Sequence, residues 1–377
     1  MTLFPNTETI CDIKDPLHWT SEKSKLMLNA CREMALFHQG HCPDIAYLYK
    51  KYDFDPRTLQ AEEDLARIPA LGVTAMKYFL LTSLPAEQSI LKLTSSGTRG
   101  QKTQIWFDQK SLDRCQAMLE RYWEQEGFIS DQPTNYLMFV YDPKDAKDLG
   151  VTFSDSNQQR FAPVAESFYT IRKEGSGEWK FNLNEVIEKT RQFAEIRKPV
   201  RIFGLPAFVF SFLEELGKHK PIPLPPGSMI MVGGGWKAAE NKKVSREEFR
   251  LLATERLGIP DENIRDNYGM AEHCAPYMEC RKHRFHIGAY NRIIVRDPIT
   301  YHSLPPGEIG LLELITPWNA MMPNLAVLST DLGKIDPEPC GCGWNSPTFT
   351  LVGRAGLSKH KGCAIHADDI VKRGKST

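Results

Sequence analysis

Apolar residues recur at helical spacing near the start of the chain. Leu26, Met27, Ala30 and Met34 share one face behind Thr20 and Ser21, which predicts a helix capped by one of those hydroxyls and running to Leu36. Residues 1–90 read as a helical layer, in which Pro69-Ala70-Leu71-Gly72 closes a short helical segment, and residues 88–93 then alternate like a strand. A second helical stripe follows in Leu112, Cys115, Met118, Leu119, Tyr122 and Trp123, of the kind that packs against a sheet. Beyond it the period switches back and forth. Strands are predicted at 136–140, 201–203, 228–232 and 264–268, and helices at 183–196 and 206–216, with a further helix opened by the capping box Ser245-x-x-Glu248. This alternation predicts α/β layering. Lys173 to Lys180, with Gly175, Ser176 and Gly177, reads as a hairpin turn at the surface. From Arg284 the elements become short strands at 292–295, 310–316, 326–328 and 348–352. The expected division is a helical layer 1–90, an α/β core 91–283, a β-rich subdomain 284–355 and a tail 356–377.

Composition changes the picture by exclusion. The 47 basic residues equal the 47 acidic ones, so no global field gathers nucleic acid or an anionic membrane. The longest apolar run, Ile202 to Leu213, is broken by Gly204, Pro206 and Ser211 and is too short to span a bilayer. Glu8, Asp12, Lys14 and Asp15 occupy the region where an export signal would be apolar. Nine cysteines without framework spacing suit reduced thiols, and the expected location is cytoplasmic. Cys11, Cys31, Cys42 and Cys115 show no partner pattern and read as small core or surface residues.

Candidate chemistry begins at Leu93-Thr94-Ser95-Ser96-Gly97-Thr98-Arg99-Gly100-Gln101-Lys102-Thr103. Glycine permits the positive φ angles with which successive N–H groups cradle a phosphate, although the spacing of Gly97 and Gly100 is not the Walker pattern and a plain surface loop is the alternative. Gly233-Gly234-Gly235-Trp236-Lys237 follows a predicted strand, where a bare backbone admits either a flat ligand or a tight turn. Tyr268-Gly269-Met270-Ala271-Glu272 ends another strand with a carboxylate at the edge where open α/β sheets bind ligands. Ser329-Thr330-Asp331-Leu332-Gly333 comes next, with Gly353-Arg354 beyond it.

The order of these four segments resembles the adenylate-forming superfamily of acyl-CoA synthetases and peptide synthetase adenylation domains, from Leu93 to the C-terminus. Within it, Gly-Gly-Gly-Trp-Lys and Lys361-Gly362-Cys363-Ala364 resemble the acyl-protein synthetases of bacterial luciferase operons, and more distantly the zinc-containing phenylacetate-CoA ligases. The resemblance implies an α/β fold, the large N-terminal domain of that superfamily with its β-rich subdomain. The mobile C-terminal domain is expected to be lacking, because the chain ends about twenty residues after Arg354. It implies that ATP activates a fatty acid as acyl-adenylate, which passes to the protein's own Cys363 and on to a partner such as an acyl reductase. An acyl-CoA or aryl-CoA ligase, and a nucleotide-binding partner module without catalysis, are the alternatives.

By the same resemblance, Thr94, Ser95, Ser96, Gly97, Thr98 and Lys102 surround the ATP phosphates and Gly233, Gly234 and Gly235 approach the adenine. Tyr268 stacks near the base, Glu272 helps to hold Mg²⁺, Asp331 binds the ribose and Arg354 reaches ribose or phosphate. Ser329-Thr330-Asp331 departs from the pattern, lacking the glycine usual before the aspartate. Cys340-Gly341-Cys342 with Cys280 and His286 offers the four soft ligands of a structural zinc site, with His273, Cys274 and His283 as rival ligands. Without a metal, Cys340 and Cys342 would merely flank a glycine turn and His286 would be a strand residue.

Overall fold

The computed structural model describes residues 3–94, 103–145, 159–173, 177–234, 236, 244–275 and 277–355. By their contacts the described residues fall into two units, one within 127–268 and the other formed by 3–126 together with 269–355. The contact boundaries therefore cut the chain at different places from the sequence segments.

Helix α1 (Pro5–Cys11) leads to α2 (Ser21–His41), whose N-cap Thr20 accepts from the Lys23 N–H at 3.2 Å. Met27, Ala30 and Met34 are fully buried, as their spacing requires, but α2 runs on past Leu36 to His41, where Pro43 restarts the chain as α3 (Pro43–Lys51). Two residues of the closing segment form a strand instead, β1 (Leu71–Gly72). Strand β2 (Leu91–Thr94) is shorter than the alternation at 88–93 implies, because Ala86–Gln88 is a 3₁₀ turn. It pairs antiparallel with β3 (Gln104–Phe107), so the Ser/Thr/Gly segment connects two strands of one hairpin. In α4 (Gln109–Gln125) the buried face is turned from the predicted stripe. Ser111 and Arg114 are buried along with Met118, Tyr122 and Trp123, while Leu112, Cys115 and Leu119 are half-buried. Polar partners make this possible: Arg114 holds Glu8 through two nitrogens and the Trp318 carbonyl at 3.0 Å, and Ser111 Oγ accepts from the Ala320 N–H at 2.9 Å.

In the unit within 127–268, β4 (Thr134–Tyr141) is buried at every position. It pairs in parallel with β5 (Val164–Lys173), and β6 (Trp179–Phe181) returns antiparallel along β5. Helix α5 (Leu183–Ile196) is capped by Asn182, whose Oδ1 accepts from the Glu185 N–H at 3.2 Å. Next come β7 (Val200–Gly204), α6 (Pro206–Leu216), β8 (Met229–Gly233), α7 (Arg246–Leu257) and β9 (Ile264–Tyr268). Within this unit the strand order is β9-β8-β7-β4-β5-β6, with every neighbouring pair from β9 to β5 parallel. Leu137, Ile202, Ile230 and Ile264 pack with Val186, Phe193, Phe208, Phe212, Ala253 and Leu257 of the helices. Each large side chain so buried contributes roughly 1.5–3 kcal/mol against the entropy of ordering the chain. Because these strands run the same way, their carboxyl ends share one edge, which carries Gly233, Gly234 and Tyr268.

The other unit closes on a mainly antiparallel sheet. After the short β10 (Tyr277–Met278), strands β11 (Phe285–His286), β12 (Arg292–Arg296), β13 (Gly310–Ile315), β14 (Ala326–Ile335) and β15 (Thr348–Arg354) stand in the order β11-β15-β14-β13-β12, with β1 parallel to β14. The predicted β-rich region is thus present, but β14 continues well beyond Leu328. Among the described residues no helix is long and apolar enough to cross a membrane.

Candidate functional site

At the carboxyl end of β8, Gly233 stands across from Asn267 of β9, and a Cβ at Gly233 would meet Asn267 Nδ2 at 3.0 Å and its carbonyl oxygen at 3.1 Å. The approach of the next strand therefore favours glycine here. Gly234 has φ +82°, the left-handed region that favours glycine. Tyr268 follows Asn267, so the structure brings Gly233, Gly234 and a half-buried Tyr268 together on adjacent strand ends. Trp236 beyond them packs edge-on against Phe210, with ring centroids 5.2 Å apart.

In the other unit, Asp331 of β14 and Arg354 of β15 are direct cross-strand partners. Arg354 Nε donates to Asp331 Oδ1 at 2.7 Å; the carboxylate is nearly buried, whereas Arg354 is mostly exposed. Ser329, where the resemblance leads one to expect glycine nearby, accepts from the Asp331 N–H at 3.1 Å through its Oγ and so fixes the approach to the aspartate.

Glu272 is buried to 8% exposure in a turn in which the N–H groups of His273 and Cys274 both donate to the Met270 carbonyl. Asn324 Nδ2 donates to the Glu272 carbonyl at 2.8 Å, and Trp318 Nε1 to that of His273 at 3.3 Å. Neither Asn324 nor Trp318 could be picked out from the sequence, because a side chain that serves a distant backbone carbonyl leaves no local pattern.

Cys280, His286, Cys340 and Cys342 converge so that their ligand atoms all lie within 4.8 Å of one another. Cys280 Sγ is 3.4 Å from Cys340 Sγ, and Cys342 Sγ is 3.2 Å from His286 Nε2. A tetrahedral zinc with the usual bond lengths separates its ligands by roughly 3.4–3.8 Å, so the donor set and its size fit that ion. His286 Nδ1 bonds Ser346 Oγ at 2.7 Å, which aims Nε2 at the three sulfurs. Burial pushes the imidazole down to about 4, into the neutral form that can ligate. Burial also raises the Cys280 and Cys340 thiols, so without a cation they are protonated; the Lys282 N–H pointing at Cys280 Sγ at 3.3 Å suits a thiolate. Gly341, at φ +69°, turns the chain between Cys340 and Cys342, and Gly343, at φ +112°, turns it just after them. The rival ligands are engaged elsewhere: His273 Nε2 with Tyr277 OH at 3.0 Å, Cys274 with the Ala271 carbonyl at 2.5 Å, and His283 Nδ1 3.9 Å from Glu279.

Thr94 is exposed at the end of β2, opposite Gln104. Ser95, Ser96, Gly97, Thr98, Lys102, Gly235 and Cys363 lie outside the described residues.

Comparison with known proteins adds three findings. The family model for acyl-protein synthetase, LuxE, matches residues 6–371. The long-chain-fatty-acid–luciferin-component ligase of Aliivibrio fischeri is 22% identical over 95% of this chain and 92% of its own length, and the phenylacetate-coenzyme A ligase of Thermus thermophilus is 24% identical over 79% of this chain and 65% of its own. Among solved structures, a 2-hydroxyisobutyryl-CoA ligase in complex with 2-HIB-AMP and CoA superposes with a TM-score of 0.64 at 15% identity, covering 91% of this chain and 70% of that one. The fold is that of the adenylate-forming ligases, and with a match across nearly its whole length the chain belongs to the LuxE acyl-protein synthetase family, whose members are ligases forming a carbon–sulfur bond.

Proposed function

We propose that the protein activates a long-chain fatty acid with ATP and carries the acyl group on Cys363 to a partner protein, an acyl reductase. The observation that supports this best is the family match over residues 6–371, which includes both the glycine and tyrosine strand ends and the Tyr-Gly-x-x-Glu turn. The fatty-acid carboxylate attacks the α-phosphorus of ATP, the bond to the bridging oxygen breaks and pyrophosphate leaves. The Cys363 thiolate then attacks the acyl carbonyl, the bond to AMP breaks and a thioester forms.

In this reading the hydroxyls of Thr94, Ser95, Ser96 and Thr98, the backbone at Gly97 and the Lys102 ammonium hold the ATP phosphates. Gly233, Gly234 and Gly235 leave room for the adenine, and Tyr268 stacks beside it. Asp331 accepts from the ribose hydroxyls, with Arg354 orienting its carboxylate from 2.7 Å. Glu272 supplies a hard oxygen ligand for Mg²⁺, which when bound with ATP offsets charge on the departing pyrophosphate. A cysteine at its ordinary pKa is only a few per cent thiolate at neutral pH, and Lys359, His360, Lys361 and His366, close in sequence, are the cations that would raise that fraction. Zinc at Cys280, His286, Cys340 and Cys342 is structural, clipping two turns of one unit. The reduced thiols this chemistry needs fit a cytoplasmic location.

Intact mass after incubation with ATP, Mg²⁺ and fatty acids tests the proposal. We expect a hydroxylamine-sensitive acyl adduct that Cys363→Ser abolishes while acid-dependent pyrophosphate exchange persists. An adduct that survives the substitution refutes the carrier assignment. The phenylacetate-coenzyme A ligase relative supports a second reading, an acyl-CoA or aryl-CoA ligase, which release of AMP only upon addition of CoA would favour. No exchange with any carboxylic acid would leave a nucleotide-binding partner module.

A further inference from the structure

From Glu272 onward three successive backbone carbonyls are each held by a side chain from elsewhere in the same unit. Asn324 Nδ2 donates to the carbonyl of Glu272 at 2.8 Å, Trp318 Nε1 to that of His273 at 3.3 Å, and the Cys115 thiol to that of Cys274 at 3.2 Å. Loss of hydration around that thiol pushes its pKa up to about 12, so it stays protonated and able to donate. On the other side of Glu272, the Ala271 carbonyl accepts from Cys274 Sγ at 2.5 Å. Both peptide groups that flank the Glu272 Cα are therefore pinned, and with them the direction in which its side chain leaves the backbone. Cys274 has φ +56°, a left-handed conformation that its Cβ disfavours and that persists only where the surroundings fix it.

The donors are fixed against one another as well. Trp318 and Asn324 lie on the connection between β13 and β14, whose stems are joined where the Thr316 N–H donates to the Leu325 carbonyl at 2.9 Å. Inside it, Asn319 Oδ1 accepts from the Met321 and Met322 N–H groups at 3.0 and 3.3 Å. Helix α4 holds the same connection through Ser111 and Arg114, and the next residue, Cys115, meets the Glu272 turn. Helix, connection and turn thus close a ring of side-chain-to-backbone bonds. Buried carbonyls need donors in any fold. Here the ring surrounds a residue that is 8% exposed and whose carboxylate makes no hydrogen bond or ion pair with a described residue, a costly state for an anion that meets no cation.

We propose that Asn324, Trp318 and Cys115 are positioning residues, which hold the Glu272 carboxylate in the direction that a divalent cation bound with ATP requires. This role rests on the adenylation reading above, in which Glu272 is a metal ligand. None of the three touches the cation or the nucleotide; each acts through the backbone of the turn. A ligand aimed in advance loses little freedom when the ion binds, so a loosened turn shows first as lost metal affinity.

Mn²⁺ titrated against the full chain and followed by electron paramagnetic resonance reads metal affinity without turnover, in the presence of α,β-methylene ATP, which cannot release pyrophosphate. Glu272→Gln should weaken Mn²⁺ binding. Trp318→Phe, which keeps the ring and deletes the N–H, and Asn324→Leu should each raise the dissociation constant by about tenfold or more. Cys115→Ala should raise it by a smaller factor, and Cys115→Ser, which keeps a donor, should restore it. In the Glu272→Gln background none of these changes should weaken binding further, whereas a merely structural role would cost the same in both backgrounds. Wild-type affinity in Trp318→Phe, equal losses with and without the Glu272 carboxylate, or binding that ignores Glu272→Gln overturns the assignment. Should Asn324→Leu fail to fold, the Trp318 and Cys115 variants decide it. Acid-dependent pyrophosphate exchange by the unaltered protein tests the adenylation reading separately. Exchange with unshifted Mn²⁺ affinities sinks the positioning role alone, and the expected shifts without exchange sink adenylation and leave the role standing.

Discussion

Cys342→Ser is the sharpest test of the metal clip. Its thiol is buried, 3.2 Å from His286 Nε2, and with Cys280, Cys340 and His286 it completes a closed donor set. A zinc held there would join Cys280 to Cys340, 60 residues apart, and closing a loop of that length would remove unfolded-state entropy worth up to about 4 kcal/mol. For a domain of this size each kcal/mol moves the thermal midpoint by roughly 2–4 °C, so loss of the metal should lower it by about 8–16 °C. Protein purified without added metal should contain about one zinc per chain. Cys342→Ser should lose most of it, and a strong chelator should lower the wild-type midpoint by a similar amount without lowering that of the variant further. Ser346→Ala, which frees His286 from its 2.7 Å hydrogen bond, should weaken zinc affinity by about 10–100-fold while keeping all four ligands. Zinc-free protein that melts at the same temperature with or without chelator would refute the reasoning.

Other perturbations separate structure from chemistry. Glu272→Gln should reduce acid-dependent pyrophosphate exchange by about 10²–10³-fold with little change in thermal midpoint, and unaltered exchange would remove Glu272 from the reaction. Gly288→Ala places a Cβ 1.9 Å from Tyr122 Oη, so it should cost about 1–3 kcal/mol by denaturant titration, and Tyr122→Phe should recover part of that loss; equal penalties in both backgrounds would show that the clash lies elsewhere. His38 and His273 are held neutral by burial, their pKa values pushed down to about 3 from an unfolded value of about 6.5. The unfolded chain then binds more protons between those values, so the stability from both is full above about pH 6.5 and is lost as pH falls toward 3, at up to about 1.4 kcal/mol per pH unit per histidine. A urea midpoint that stays flat from about pH 7 to 5 would contradict this.

Elements with chemically marked ends were legible in the sequence. Leu183–Ile196 starts at the Asn182 cap and Pro206–Leu216 at a first-turn proline, and both coincide with expectation to the residue. Val164–Lys173 escaped because its first three residues are exposed and the rest follow no clean alternation, as befits a strand whose outer neighbour is only the short β6. Strand β14 outruns the expected 326–328 because Asp331 and Gly333 have little strand preference of their own. Gly333 lies within the strand for another reason: a Cβ there would stand 2.7 Å from the Thr350 carbonyl oxygen. That glycine marks close backbone approach across a register shift between β14 and β15, which only pairing reveals.

The same limit divides the candidate site. Ligand identity is local chemistry, so Cys340-Gly341-Cys342 and the Cys280/His286 pair announce themselves, and their gathering within 4.8 Å follows from β11 lying beside β15. What makes such a cluster specific is not local. Ser346 is an ordinary loop serine until the fold sets its Oγ on His286 Nδ1, and Arg281 is a surface cation until its guanidinium reaches the Cys342 carbonyl at 2.6 Å. If the clip is structural, these two contacts fix the ligand turns before the ion arrives. Arg281→Ala should then leave the four donors intact yet slow zinc uptake by the metal-stripped protein, because the turn carrying Cys342 loses an anchor. Uptake at the wild-type rate would mean that the ion itself organises the turn.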